Sequence, residues 1–126
     1  LSANKVYSGM FEEAQGWEIE HIALAEKADL VLIAPATANI IAKISAGICD
    51  DLLSSLVLAT KSPVLIAPAM NQSMYLNKIT QANIKKLQSL GYKFITPRKG
   101  KFACGKIGIG CLAEIERIVK EAKRAF

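Results

Sequence analysis

Three short apolar runs, each ending at a proline, constrain the fold of this chain more than any other feature. They read LVLIA before Pro35, VLIA before Pro68 and YKFIT before Pro97. Runs of this length, rich in β-branched residues and stopped by a residue that cannot donate to a ladder, are typical of buried strands. We therefore predict strands at residues 30–34, 64–67 and 92–96, of which the last is the weakest.

The segments between these runs have helical character, so the chain alternates between strand and helix. The predicted helices cover residues 18–27, 38–46, 50–60, 74–90 and 112–125. Gly47 breaks one helix from the next, and Gly91 lies where a helix ends in a left-handed residue. Alternation of this kind predicts one α/β domain, residues 1–126, with a parallel sheet covered on both faces. Because residues 1–7 resemble the middle of a domain, we expect two central strands and a phosphate-binding turn to be missing from its N-terminus.

Two unusual loops follow the first two predicted strands, reading PATAN and PAMN. The carboxyl ends of parallel strands lie at one edge of the sheet, and ligands bind at that edge. Thr37 and Asn39 place hydrogen-bonding groups at a helix N-terminus, which attracts anions. Asn71 is able to bind a carboxylate or an amide. An ordinary helix cap explains the first loop equally well.

A basic, glycine-rich segment near the C-terminus, KGKFACGKIGIGCL, carries two of the three cysteines. Its four glycines predict a mobile flap, not a packed element. Cys104 lies between Lys101 and Lys106, so its thiol is a candidate for proton exchange. The alternative interpretation is an inert, small apolar residue.

Composition excludes several classes of function. Three cysteines without CxxC spacing and a single histidine, His21, argue against a disulfide framework and a metal site, and indicate a reducing cytoplasm. The net charge of +5 is spread out and the aromatic content is 6%, which does not suit a nucleic-acid surface. No apolar window is long enough for a membrane span. A small anionic ligand such as a phosphate ester suits this charge, as do ordinary surface lysines.

Four segments, in this order and spacing, resemble the homo-oligomeric flavin-containing cysteine decarboxylases. HIALAEKAD is similar to the histidine segment of that family, and PATANI to its PASANT motif. PAMNQSMY is similar to its PAMNxxMW motif, and GKFACGKIGIG to its cysteine-bearing flap. The resemblance covers nearly the whole chain, and the ACG sequence favours the phosphopantothenoylcysteine decarboxylase branch, the decarboxylase half of a bacterial bifunctional enzyme. It implies a flavodoxin-like, three-layer, doubly wound parallel sheet.

The resemblance also implies roles for particular residues. His21 would act as base or orienting group at the substrate thiol, and Cys104 would return a proton late in the reaction. Asn71 would bind the substrate carboxylate, with Lys101 and Ala103 near the substrate. The residues implied to contact FMN are Thr37, Ala38, Asn39, Ile40 and Ala69.

The implied reaction is FMN-dependent decarboxylation of 4′-phosphopantothenoylcysteine to 4′-phosphopantetheine in coenzyme A biosynthesis. The flavin would oxidise the substrate to a thioaldehyde, CO2 would leave, and the resulting enethiolate would be reduced again. The implied partners are further copies of the chain, as a trimer or a dodecamer of trimers, and a fused or associated phosphopantothenate–cysteine ligase domain.

The chain departs from the family pattern where the PASANT threonine is Ile40 and the PAMNxxMW tryptophan is Tyr75. In the flap it has Lys106 and Cys111 where relatives often carry Asp and Arg, and the family's N-terminal glycine-rich phosphate turn is absent from these 126 residues. Two other functions stay open. The chain could decarboxylate a C-terminal peptidyl cysteine, or serve as a non-catalytic flavin-binding regulatory subunit. A flavodoxin-type electron carrier is disfavoured by the basic charge and the cysteine flap.

Overall fold

The computed structural model describes residues 29–125, in which strands and helices alternate. The strands of this range are β1 (Val31–Ala36), β2 (Val64–Pro68), β3 (Lys93–Phe94), β4 (Arg98–Lys101) and β5 (Ile107–Cys111). Its helices are α1 (Ala38–Ala46), α2 (Leu52–Ala59), α3 (Gln72–Leu76), α4 (Lys78–Ser89) and α5 (Ile115–Ala125). Within the same range, no helix is both long and apolar enough to cross a membrane.

The main sheet is parallel, as predicted, with β1, β2 and β3 side by side in that order. Strand β1 runs beyond its predicted end, through the cis Ala34–Pro35 peptide bond, so that Ala36 pairs with Pro68. Strand β3 is shorter than predicted, although Ile95 beyond it still donates its backbone N–H to the carbonyl of Ile66 over 2.8 Å. The three apolar runs therefore form one continuous sheet.

Helices cover both faces of this sheet, which confirms the predicted three-layer arrangement. On one face, α1, α2 and α4 pack against the strands through a cluster that includes Ile33, Ile41 and Ile66. On the other face, Leu65 and Ile118 belong to a second cluster that holds α5. Burying an aliphatic side chain of this size stabilises the fold by roughly 1.5–3 kcal/mol.

The first two helices begin at side-chain caps. Helix α1 has the predicted bounds, from the cap at Thr37 to Gly47, which has the left-handed φ of 73° that glycine adopts without strain. Helix α2 begins later than predicted because Asp51 caps it, accepting the Ser54 N–H at 2.8 Å, while the Ser54 hydroxyl group accepts the Asp51 N–H. Each helix therefore starts at a residue suited to satisfy its unpaired N–H groups.

The predicted single helix over residues 74–90 is wrong, because the structure divides the segment into α3 and α4. Asn77 ends α3, and its side chain accepts the Ile79 N–H at 2.8 Å to start α4. Gly91 has the predicted left-handed φ, 99°. The last helix begins at Ile115, later than predicted. The predicted helix over residues 18–27 lies outside the described residues.

The segment predicted to be a flap without packed structure forms a β-hairpin, so the predicted lack of a regular element is wrong. Strands β4 and β5 pair antiparallel, with Gly100 opposite Gly108 and Lys101 opposite Ile107. Two backbone hydrogen bonds of 2.8 Å, between Phe102 and Lys106 and between Gly105 and Phe102, close its tip. The alternation of glycine with lysine or isoleucine in KGK and IGIG has the period of a strand, and this pattern outweighs the high glycine content.

Candidate functional site at the carboxyl edge of the sheet

The two loops that follow β1 and β2 meet directly. Ala36 pairs with Pro68 at the end of the ladder, and the backbone N–H of Ala69 donates to the Ala36 carbonyl over 3.0 Å. Ala36 and Pro68 are buried, whereas Thr37 and Asn71 just beyond them are exposed. The predicted side-by-side placement of the PATAN and PAMN loops is therefore confirmed.

The first loop presents polar groups at the start of α1. Thr37 is the helix cap, its hydroxyl oxygen accepting the Ile40 N–H at 3.2 Å, so the helix-cap interpretation is confirmed. The hydroxyl proton is left to donate to a ligand. Asn39 is exposed and Ala38 is half-buried, and their N–H groups lie in the first turn, where a helix has no internal acceptors. The Ile40 side chain is buried in the core, so a ligand would meet only its backbone.

The second loop presents the amide of Asn71. Its side-chain oxygen caps α3 by accepting the Met74 N–H at 2.9 Å, and the side chain is exposed. The cap therefore fixes the orientation of the amide and directs its N–H2 group, a donor of two hydrogen bonds, away from the helix. Met70 packs against the core, while Met74 is 45% exposed.

The hairpin is fastened to this second loop, a contact that the sequence analysis missed. Gly110 is an extra residue of β5 at a register shift, with a φ of 131°, and its carbonyl accepts the Met70 N–H at 2.8 Å. One residue earlier, the Ile109 N–H donates to the side-chain oxygen of Gln72 over 2.9 Å. A β-bulge of this kind releases backbone groups from the ladder for other contacts. In the sequence, Gly110 was the one feature that could have indicated this bulge.

The tip of the hairpin carries Lys101, Ala103 and Cys104, all of them exposed. The fastened end at Gly110 and the start of the strand at Ile107 are three residues apart, about 10 Å along a strand. The structure therefore joins the thiol to the Asn71 loop through the hairpin, and it does not place the two side chains in direct contact. The other predicted catalytic residue, His21, lies outside the described residues.

The groups with shifted pKa values lie toward the other end of α1, where Lys43 is about 9 Å from Thr37 along the helix axis. A hydrogen bond to Asp50, 2.9 Å long, raises the pKa of Lys43 above its ordinary value. Burial acts to raise the pKa of Asp51, but hydrogen bonds from Ser54 and the Lys43 charge outweigh it and lower that pKa. These charges stabilise the junction of α1 and α2 and do not belong to the candidate site.

The match to a known family extends over the whole chain. Residues 1–126 match the Flavoprotein family. The chain belongs to this family. Among its curated relatives, the coenzyme A biosynthesis bifunctional protein CoaBC of Bacillus subtilis (strain 168) is 48% identical over 100% of the chain and 31% of its own length. A probable phosphopantothenoylcysteine decarboxylase of Streptococcus mutans is 46% identical over 96% of the chain and 69% of its own length.

A solved structure of another protein has the same fold. It is a cysteine-to-serine mutant of PPC decarboxylase complexed with pantothenoylaminoethenethiol, and the likeness has a TM-score of 0.81 at 37% identity. The matched region covers 83% of this chain and 59% of that one. The predicted flavodoxin-like fold class is confirmed. The chain thus spans 31% of the B. subtilis relative and somewhat over half of the solved decarboxylase.

Proposed function

We propose that this chain is part of an FMN-dependent domain that decarboxylates 4′-phosphopantothenoylcysteine to 4′-phosphopantetheine in coenzyme A biosynthesis. The observation that carries the proposal is the Ala36–Ala69 junction, which brings the PATAN loop and Asn71 to one edge of the sheet. The names of the relatives from B. subtilis and S. mutans support the same reaction.

The residues at this edge fit a flavin. An isoalloxazine ring is flat and has a polar margin, so it needs hydrogen-bonding groups beside small side chains. Thr37, Asn39 and the first N–H groups of α1 supply donors and acceptors, and Ala38 and Ala69 leave the backbone accessible. Ile40 would contribute its backbone alone, since its side chain lies in the core. When bound, FMN supplies hydride acceptance and hydride return.

The protein's own groups then bind the substrate. Asn71 holds the carboxylate through its amide N–H2 group, because its oxygen is already engaged with Met74. A neutral donor suits a carboxylate that must later leave as CO2, since a cation would stabilise the charged ground state. Lys101 and Ala103 lie near the substrate when the hairpin tip approaches the edge.

Two residues move protons. We assign to Cys104 the return of a proton to the substrate carbon after CO2 has left, and its exposed position at a hairpin tip gives its thiol access to a bound substrate. We assign to His21 the role of base or orienting group at the substrate thiol. A cysteine-to-serine mutant of PPC decarboxylase that holds an enethiol supports a role for cysteine after decarboxylation in that protein.

We further propose that the active protein is cytoplasmic and forms a trimer, or a dodecamer of trimers. The domain of residues 1–126 is proposed to be completed by N-terminal strands and to be joined to, or associated with, a phosphopantothenate–cysteine ligase domain. The bifunctional names of several relatives, in which the matched region is about a third of the length, support the second domain.

Parallel assays of the purified protein test the proposed substrate. One assay contains 4′-phosphopantothenoylcysteine and the other a peptide that ends in cysteine, and mass spectrometry follows loss of CO2. We expect turnover of the first substrate alone, by a protein that is yellow with bound flavin. Preferential turnover of the peptide would assign the chain to the peptidyl-cysteine decarboxylases. A flavin-bound protein that acts on neither would favour the regulatory subunit.

A further inference from the structure

Gln72 lies directly on the backbone of the hairpin. Its side-chain oxygen accepts the Ile109 N–H at 2.9 Å. A Cβ atom built on Gly108 would stand 2.5 Å from that oxygen and 2.9 Å from the Gln72 Cδ atom. The glutamine therefore needs both a strand N–H that points toward it and a glycine beneath it. Both conditions are met in β5.

The hairpin has two attachment points on the segment that carries Asn71. The first is the backbone hydrogen bond from Met70 to Gly110, and the second is the side-chain bond from Gln72 to Ile109. A single hydrogen bond lets a hairpin rotate about it, whereas two neighbouring bonds define its direction. A rotation of about 10° at the attachment would displace a tip about 10 Å away by nearly 2 Å.

We propose that Gln72 is a positioning residue that sets where the hairpin tip, and therefore Cys104, stands relative to the substrate held by Asn71. This inference rests on the proposed function. Gln72 follows Asn71 directly, so one short segment both binds the substrate carboxylate and sets the orientation of the hairpin. A misplacement of about 1 Å can cost about 10²-fold in rate. A small rotation of the hairpin at its attachment to Gln72 would therefore lower the rate of the step that Cys104 performs.

Four variants of the purified protein test the proposal. Gln72→Met keeps the length of the side chain but removes the acceptor, and Gln72→Glu keeps an acceptor. Gly108→Ala displaces the glutamine from the opposite side without changing it. Ser73→Ala alters the neighbouring exposed residue of α3 and is the matched control. Urea unfolding of each variant, followed by circular dichroism, verifies that it is folded.

Two measurements distinguish a purely structural role of Gln72 from a role in catalysis. The first is hydrogen exchange at the Ile109 amide, which needs no activity, and we expect it to be about fivefold faster in Gln72→Met and Gly108→Ala. The second is turnover of 4′-phosphopantothenoylcysteine. We expect kcat to fall about fivefold or more in both variants, with KM within about twofold. Decarboxylated but oxidised product should accumulate in both variants. Gln72→Glu should keep the slow exchange at the Ile109 amide, and Ser73→Ala should behave as the unchanged protein in both readouts.

Different results would overturn different parts of the proposal. Unchanged Ile109 exchange in Gln72→Met and Gly108→Ala would show that the glutamine does not hold the hairpin. Faster exchange with unchanged kcat and product would show that the contact is structural only. If the unchanged protein fails to decarboxylate the substrate, the proposed function fails and the positioning role fails with it, whereas the exchange result still decides whether Gln72 holds the hairpin.

Discussion

Met70 donates its backbone N–H to the carbonyl of Gly110 over 2.8 Å, and this bond fastens a hairpin to the loop that follows β2. A side chain is excluded at Gly110, because a Cβ atom there would collide with the Met70 carbonyl and because the φ of 131° is a conformation that other residues rarely adopt. The contact explains why this position of the strand is a glycine.

Gly110→Ala should therefore destabilise the protein more than Gly105→Ala, although both glycines have positive φ. At Gly105 the space around an added Cβ is open, so only backbone strain of about 1–2 kcal/mol is expected. Gly110→Ala adds the collision with Met70, and we expect a loss above about 2 kcal/mol. Urea unfolding measures both free energies. Equal losses would mean that the close approach at Gly110 is unimportant.

Asn71→Asp should weaken substrate binding without weakening the fold. An aspartate oxygen can still accept the Met74 N–H, so the free energy of unfolding should change by less than about 0.5 kcal/mol. The new charge repels the substrate carboxylate, and we expect KM to rise about tenfold or more. Asn77→Asp, at the cap of the next helix, is the matched control. A similar rise in KM for both variants would contradict the assigned role of Asn71.

Thr37→Val should lower both the stability of α1 and the affinity for FMN. Loss of the cap on Ile40 should cost about 1 kcal/mol, and loss of the hydroxyl donor should weaken FMN binding about fivefold. Thr37→Ser keeps the hydroxyl and should restore both properties. Flavin fluorescence titration and urea unfolding provide the measurements. Tight FMN binding by the valine variant would exclude a Thr37 contact.

Asp51 should make the stability dependent on pH in the acid range. Its pKa is lowered in the folded protein, so its contribution is present above the ordinary value near pH 4 and is lost as the pH falls through the folded value. Asp51→Asn keeps a good cap but should lose this dependence, and Asp51→Ala should cost about 1 kcal/mol at neutral pH. Unfolding curves between about pH 2 and 7 test both statements. An unchanged acid response in Asp51→Asn would refute the assignment.

Much of the framework could be predicted from the sequence because its signals are local. Proline-terminated apolar runs, the helix cap at Thr37 and the glycines Gly47 and Gly91 depend on a few neighbouring residues, and the structure confirms them. The helix break at Asn77 was missed even though asparagine is a common cap, because the apolar pattern continues through it. Family membership was predicted correctly, since four motifs in order carry far more information than any one of them.

The site was harder to predict where it depends on contacts between distant segments. Residues Gln72 and Ile109 lie 37 positions apart, and no local sequence pattern around either residue predicts their hydrogen bond. The glycine content of the flap predicted no regular element there. The period of two in IGIG favours a strand, and the close approach of Gln72 and Met70 explains the glycines at positions 108 and 110. The contact of Ile40 with FMN was implied by the resemblance of PATANI to a family motif. Because the Ile40 side chain is buried in the core, only its backbone is left for such a contact.

The product formed by Cys104→Ser tests the account most directly. We expect the unchanged protein to convert 4′-phosphopantothenoylcysteine to 4′-phosphopantetheine, and the variant to release CO2 but stall before a hydride and the last proton are returned to the substrate. Mass spectrometry should then show a decarboxylated product that is two hydrogen atoms lighter than 4′-phosphopantetheine. Normal 4′-phosphopantetheine formed by Cys104→Ser at the unchanged rate would contradict the role of this thiol, and intact substrate with the unchanged protein would contradict the proposed reaction itself.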